Sequence, residues 1–279
     1  MQLEKQSRKM DRQPIIFDIK GKGIVDRELT SKRFVVDCNK VGTPLYIEIE
    51  ERVDANILII NIKDSDIHLH LKRDSSALVS FLAKEEAKDI KIHAELDDNS
   101  QIDAYFADFI TGENHSNIQI DLNGEEAAAM WHLASLASKK DKKYFDVSVY
   151  HNSKNTYCKL DNYGVCLNES NLTFSGVCKI NKGCSGSKAH QNAKIMVFDE
   201  ACKGIAKPIL KIDENDIEAS HAAVVGKIND EHLFYLTSRG LSEAEAKELI
   251  TLGYLKPILK GFDDEEINDQ INKLIEGRM

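Results

Sequence analysis

No stretch of the 279 residues approaches the roughly 18 consecutive apolar residues that a membrane-spanning helix needs. The first twelve residues are polar, without the apolar core of a secretory signal peptide, which predicts a cytoplasmic protein. Positive charge is in short supply: 37 Lys and Arg stand against 46 Asp and Glu, a net charge of −9. That balance argues against a general binder of nucleic acid or anionic membrane, which needs clustered cations. No C-x-x-C pair joins any of the six cysteines (38, 158, 166, 178, 184 and 202), so neither a zinc ribbon nor a thioredoxin-type motif is indicated. A phosphate-binding G-x-x-x-x-G-K-[ST] loop is missing as well, because Gly21-Lys22 runs into Gly23 and Gly226-Lys227 into Ile228. ATP hydrolysis through such a loop is therefore not expected of this chain. H-E-x-x-H, G-x-S-x-G and C-x-x-C-H are absent too, and the chain is expected not to be an enzyme.

What is present is a long succession of short β-type runs. Residues 1–32 form a polar lead-in, and from Arg33 the character changes. Runs at 34–36, 45–49, 57–62, 67–71, 77–83, 90–96, 102–109 and 118–122 are apolar, several alternating with polar residues at the period of two expected of a half-buried strand. Turn clusters separate them at Asp97-Asp98-Asn99-Ser100, Thr111-Gly112-Glu113-Asn114 and Asn123-Gly124-Glu125. The spacing fits a β-sandwich or a stacked solenoid, and the lack of a dominant Asn-Gly hairpin signal favours the solenoid. Its core is expected over 33–230. His68 and His70 project to one side of their strand, but Ile67, Leu69 and Leu71 form its apolar face and an i, i+2 pair lacks a third ligand. They read as outward-facing polar residues. Trp131, in the apolar stretch 127–137, reads as core.

Residues 231–279 differ in kind. A short helix is expected to end at Arg239-Gly240, where a cation suits the helix C-terminus and glycine the left-handed cap. Ser242-x-x-Glu245 is a capping box, followed at helical spacing by Ala246, Leu249, Ile250 and Tyr254. Asp263-x-x-Glu266 has the form of a second cap, with Ile267, Ile271, Leu274 and Ile275 as its apolar stripe. Such stripes normally face their own core.

Three pieces carry a resemblance: P-x-L-x-I at Pro208–Ile212, S-H-A-A-V-V-G at Ser220–Gly226 and L-F-Y-L-T-S-R-G-L at Leu233–Leu241. Together they resemble the core signature of the SufB/SufD family, the scaffold subunits of the SUF iron–sulfur cluster assembly system. His151-Asn152-Ser153-Lys154-Asn155-Thr156 and Phe174-Ser175-Gly176-Val177 are similar to strand corners of that family, with Ser175 where Arg is frequent. The resemblance implies a right-handed parallel β-helix with a C-terminal α-helical segment. It implies a transient, nascent Fe–S cluster and a SufC-type ABC ATPase docking on 231–279, with a sulfur donor protein as a further partner. It also points to Cys202 and His221 as cluster and metal ligands, since thiolates hold such clusters and His can replace Cys on iron. Long SufB and SufD chains carry an N-terminal helical domain not seen here, so the chain resembles the compact form of minimal two-component systems.

With both residues in one chain, a homodimer through Lys207–Ile228 is expected to gather two Cys and two His at one isologous interface. Two rival readings are a SufD-like structural partner without its own cluster and a β-helix carbohydrate-active enzyme. The second would need paired carboxylates on one face, whereas acidic residues here are scattered. Whether Cys158, Cys166, Cys178 or Cys184 relays sulfur is left open by their spacing.

Overall fold

A computed structural model of the chain describes residues 12–15, 21–26, 33–262 and 264–279. Among them are seventeen strands followed by three α-helices. The strands alternate, in chain order, between a nine-stranded and an eight-stranded sheet, and every pairing is parallel. That is a β-solenoid: each coil contributes one strand to each sheet and stacks on the coil before it. The strands Arg12–Pro14 (β1) and Lys22–Val25 (β2) already pair with the sheets, so stacking reaches into the polar lead-in.

Alternation in the sequence becomes an inside and an outside. In Asn171–Ile180 (β14) every second residue is buried, and those residues face the lumen. The lumen is apolar and aromatic over several coils. Phe81, Phe106, Phe145 and Phe174 form a ladder with ring centroids 6.0, 6.1 and 5.7 Å apart, and Trp131 packs on Phe106 at 5.9 Å, as core. The turn clusters are coil corners. Asp74, Asn99, Glu126 and Asn155 each adopt a positive φ there, and each donates its backbone N–H to the next coil. Short Asx side chains tolerate that conformation.

The helical segment from residue 243 onward folds back onto the outer face of the nine-stranded sheet. Asp230–Ser238 (α1) is capped by Asn229 and closed by Arg239, with Gly240 at φ +99°. Glu243–Leu255 (α2) starts on the Ser242/Glu245 capping box. Its buried residues are Ala246, Thr251 and Leu255, while Leu249, expected in the apolar stripe, is 50 % exposed. A 3-10 segment, Lys256–Gly261, leads to Glu265–Glu276 (α3). Asp263 lies outside the described residues; the cap is Asp264, whose carboxylate accepts from the Ile267 N–H at 3.2 Å. Ile267, Ile271 and Ile275 are buried in a second core with Leu82, Tyr105, Phe109, Leu136 and Val165 of the sheet. Two arginines pin this layer. Buried Arg33 donates to the carbonyls of Gly261 and Phe262, and Arg278 donates to those of Phe109 and Ile110, at 2.8 Å each, and to the Asp141 carboxylate.

Candidate functional site at the open last coil

Lys203–Ile212 (β16) and Ile217–Lys227 (β17) are the last strands of their sheets, each with one unpaired edge. Neither contains a buried residue, and Ile205, Ile209, Val224 and Val225 are exposed. An edge of ten or eleven residues with apolar side chains is a template for pairing unless something covers it.

His221 lies in β17 in register with Gln191 of Ser187–Val197 (β15). Gln191 is buried and faces the lumen, so His221 projects from the same side, over the open mouth. Gln191 donates its amide to the Ile209 carbonyl at 3.0 Å, tying the two sheets beneath His221. Room for it comes from Gly176, where a Cβ would lie 2.6 Å from the Gln191 Oε1. That is the close approach expected of a glycine inside a strand.

Cys202 immediately precedes β16 and is 8 % exposed. Its thiol donates to the carbonyls of Asp199 (3.0 Å) and Cys166 (3.4 Å) and accepts the Asp199 N–H at 3.3 Å. Cys202 and His221 thus belong to the same last coil, but the structure does not bring them together within one chain. Gly204 faces Val225 across the lumen: a Cβ on the glycine would sit 3.0 Å from Val225 Cγ1. Cys202 lies two residues to one side of that level and His221 four to the other, a separation of roughly 20 Å at about 3.3 Å per residue.

A second group of sulfurs lies deeper in the lumen. Cys158 Sγ is 3.5 Å from Cys178 Sγ and 3.2 Å from His151 Nε2, and Cys184 donates its thiol to the His151 carbonyl at 3.2 Å. His151 Nδ1 pairs with Thr156 Oγ1 at 2.7 Å, so the H-x-x-x-N-T element is a buried corner lock, with Asn155 at its positive-φ position. Burial pushes His151 down to about 4 and Cys166 up to about 12, and the hydrogen bond with Cys178, together with burial, raises Cys158. All six cysteines are free thiols. With their pKa values raised, the Cys158 and Cys166 thiols are weakly nucleophilic.

Sequence reasoning passed over the aromatic pair on α1. Phe234 is 73 % and Tyr235 56 % exposed, on a helix with no buried residue. The signal was available in the L-F-Y-L run, whose large apolar residues cannot all face one side of a helix.

Residues 50–254 match the model of the family described as SUF system FeS cluster assembly, SufBD core domain. Among curated proteins, the chain is 33 % identical over 135 residues to the iron–sulfur cluster assembly protein SufD of Bacillus subtilis (strain 168), covering 48 % of this chain and 31 % of that protein. It is 28 % identical over 158 residues to SufB of the same organism, covering 57 % and 34 %. An iron–sulfur cluster assembly SufBD family protein of Mycobacterium tuberculosis (strain ATCC 25618 / H37Rv) is also 28 % identical over 158 residues, covering 57 % and 19 %. The matched region thus spans about a third or less of the length of these relatives. With the solenoid, the corner elements and the family match over well more than half of its length, the chain belongs to the SufBD family of iron–sulfur cluster assembly proteins.

Proposed function

We propose that the chain is a scaffold subunit on which iron–sulfur clusters are assembled as cargo, that two copies meet through β16 and β17, and that a SufC-type ABC ATPase docks on the C-terminal helices. The observation that carries this reading is the uncovered last coil, which combines two open strand edges, exposed apolar side chains and His221 at the lumen mouth. A two-fold axis set midway between Cys202 and His221 lays Cys202 of each copy beside His221 of the other. That arrangement makes two Cys–His pairs about 20 Å apart rather than one four-ligand centre, because no single two-fold axis superposes two points so far apart along a strand. Each pair supplies two ligands to a nascent cluster, with the Cys202 thiol turned away from the Asp199 carbonyl. Sulfide comes from a sulfur donor protein.

A second reading, a SufD-like structural partner without its own cluster, is favoured by the burial of Cys202 and its hydrogen bonds to backbone. Anaerobic co-purification with the ATPase, followed by iron and sulfide analysis, separates the two. The scaffold reading expects cluster in the wild type and in Cys38→Ser, and none in a folded Cys202→Ser. Equal cluster in Cys202→Ser and wild type removes the thiol from the site.

A further inference from the structure

A different group of ligand-type side chains lies on the outer face of the eight-stranded sheet. It spans Ser65–Leu71 (β6), Asp89–Leu96 (β8) and Glu113–Leu122 (β10). Parallel register places His68 beside His93 in one row, and His70, Glu95 and Asp121 side by side in the next. The imidazole pair at 68 and 70 is therefore not isolated, since further ligand-type groups arrive from the neighbouring coils. The His68 and His93 rings meet edge to face with centroids 5.7 Å apart. His93 Nε2 lies 2.6 Å from Asp121 Oδ2, and one ligand atom from each of His93, Glu95 and Asp121 lies within 4.8 Å of the others. A tetrahedral ion with bonds of about 2.0–2.2 Å sets its ligand atoms roughly 3.3 Å apart, a spacing inside the 4.8 Å that these three span.

An ion-pair explanation covers His93 and Asp121 and leaves Glu95 over. Among the described residues no basic side chain pairs with Glu95, and the nearby Lys72 is committed to Glu48 and Glu50 at 2.9 Å each. His68 and His70 are held by Asp66 and Asp97, each at 3.1 Å. An open groove of about 530 Å³, lined by His68, His93 and Glu95 among others, gives an ion and its waters access.

We propose that His93, Glu95 and Asp121 form a binding site for a first-row divalent transition-metal ion, with His68, edge to face with His93, as a further imidazole beside it. Imidazole nitrogen favours zinc, cobalt or ferrous ions over calcium and magnesium, and two carboxylates compensate the double charge. Three protein ligands leave positions open to water or to an exchanging ligand. The proposal does not depend on the reading of the last coil, which is separated from β10 by two further strands of the same sheet.

The test is titration of the metal-stripped, reduced full chain with Co²⁺ and Zn²⁺, by calorimetry and by the visible absorption of bound cobalt. One ion per chain is expected, undisturbed by equimolar Ca²⁺ or Mg²⁺. Loss of a ligand should weaken binding by at least the 10–100-fold, approximately, that loss of an outer-shell partner costs. That effect is expected in His93→Ala and in Glu95→Gln, the second a near-isosteric change at an exposed position that keeps the fold. No saturable binding by the wild type, or binding unchanged in both variants, overturns the site.

Discussion

Lys143 has no exposed surface, and its ammonium meets the equally buried Asp108 carboxylate at 2.5 Å. Ser135 donates to the same carboxylate oxygen at 2.7 Å. Burial pulls the Lys143 pKa down, and Asp108 opposes it. Removing one member of such a pair strands a charge, so Asp108→Ala should cost about 3–5 kcal/mol in urea denaturation. Adding Lys143→Met to it should recover most of that loss; an additive double variant would refute the coupling. His151 makes a pH prediction. It is held neutral in the folded chain, with a pKa near 4 against an ordinary 6.5. The unfolded chain therefore takes up the proton first, and the stability tied to neutral His151 is complete above about pH 6.5 and lost as pH falls toward 4. The shift corresponds to up to about 3 kcal/mol. Urea midpoints measured from pH 7 to 4 should fall more steeply in the wild type than in His151→Gln, and identical slopes would contradict this.

At the scale of elements, local signals were legible and long-range register was not. The strands at 45–49, 67–71 and 90–96 showed their alternation, and Ser242-x-x-Glu245 its capping chemistry. The second cap moved one residue, to Asp264, whose carboxylate meets the Ile267 N–H, so the helix starts one residue later than the Asp263-x-x-Glu266 spacing suggested. What the sequence could not display was which residues meet across coils. Cys158 and Cys178, 20 residues apart, meet across the lumen from opposite sheets, and His68 and His93, 25 apart, are adjacent through parallel stacking. Among the helices, α3 spends its apolar stripe on the solenoid, whereas α1 leaves Phe234 and Tyr235 uncovered. If α1 carries the ATPase contact, Phe234→Ala with Tyr235→Ala should weaken association by roughly 2 kcal/mol or more, with an unchanged melting temperature. Undiminished binding of the double variant would move the contact elsewhere.

Among the described residues the strands form a stack whose end at β16 and β17 is uncovered, and a solenoid end of that kind needs a cap. Both expected ligands could be placed in the last coil from sequence, because both flank Pro208 within twenty residues. Their separation could not, since it follows from the Gly204–Val225 opposition across the lumen. The most direct measurement is acid-labile sulfide per chain after anaerobic reconstitution with the ATPase, read together with mass by light scattering. It compares the wild type with Ile209→Glu/Val224→Glu, two changes at exposed positions of the open coil. The account predicts a dimer that holds cluster in the wild type, and a folded monomer without cluster in the variant. A monomeric variant with the wild-type sulfide content would contradict it.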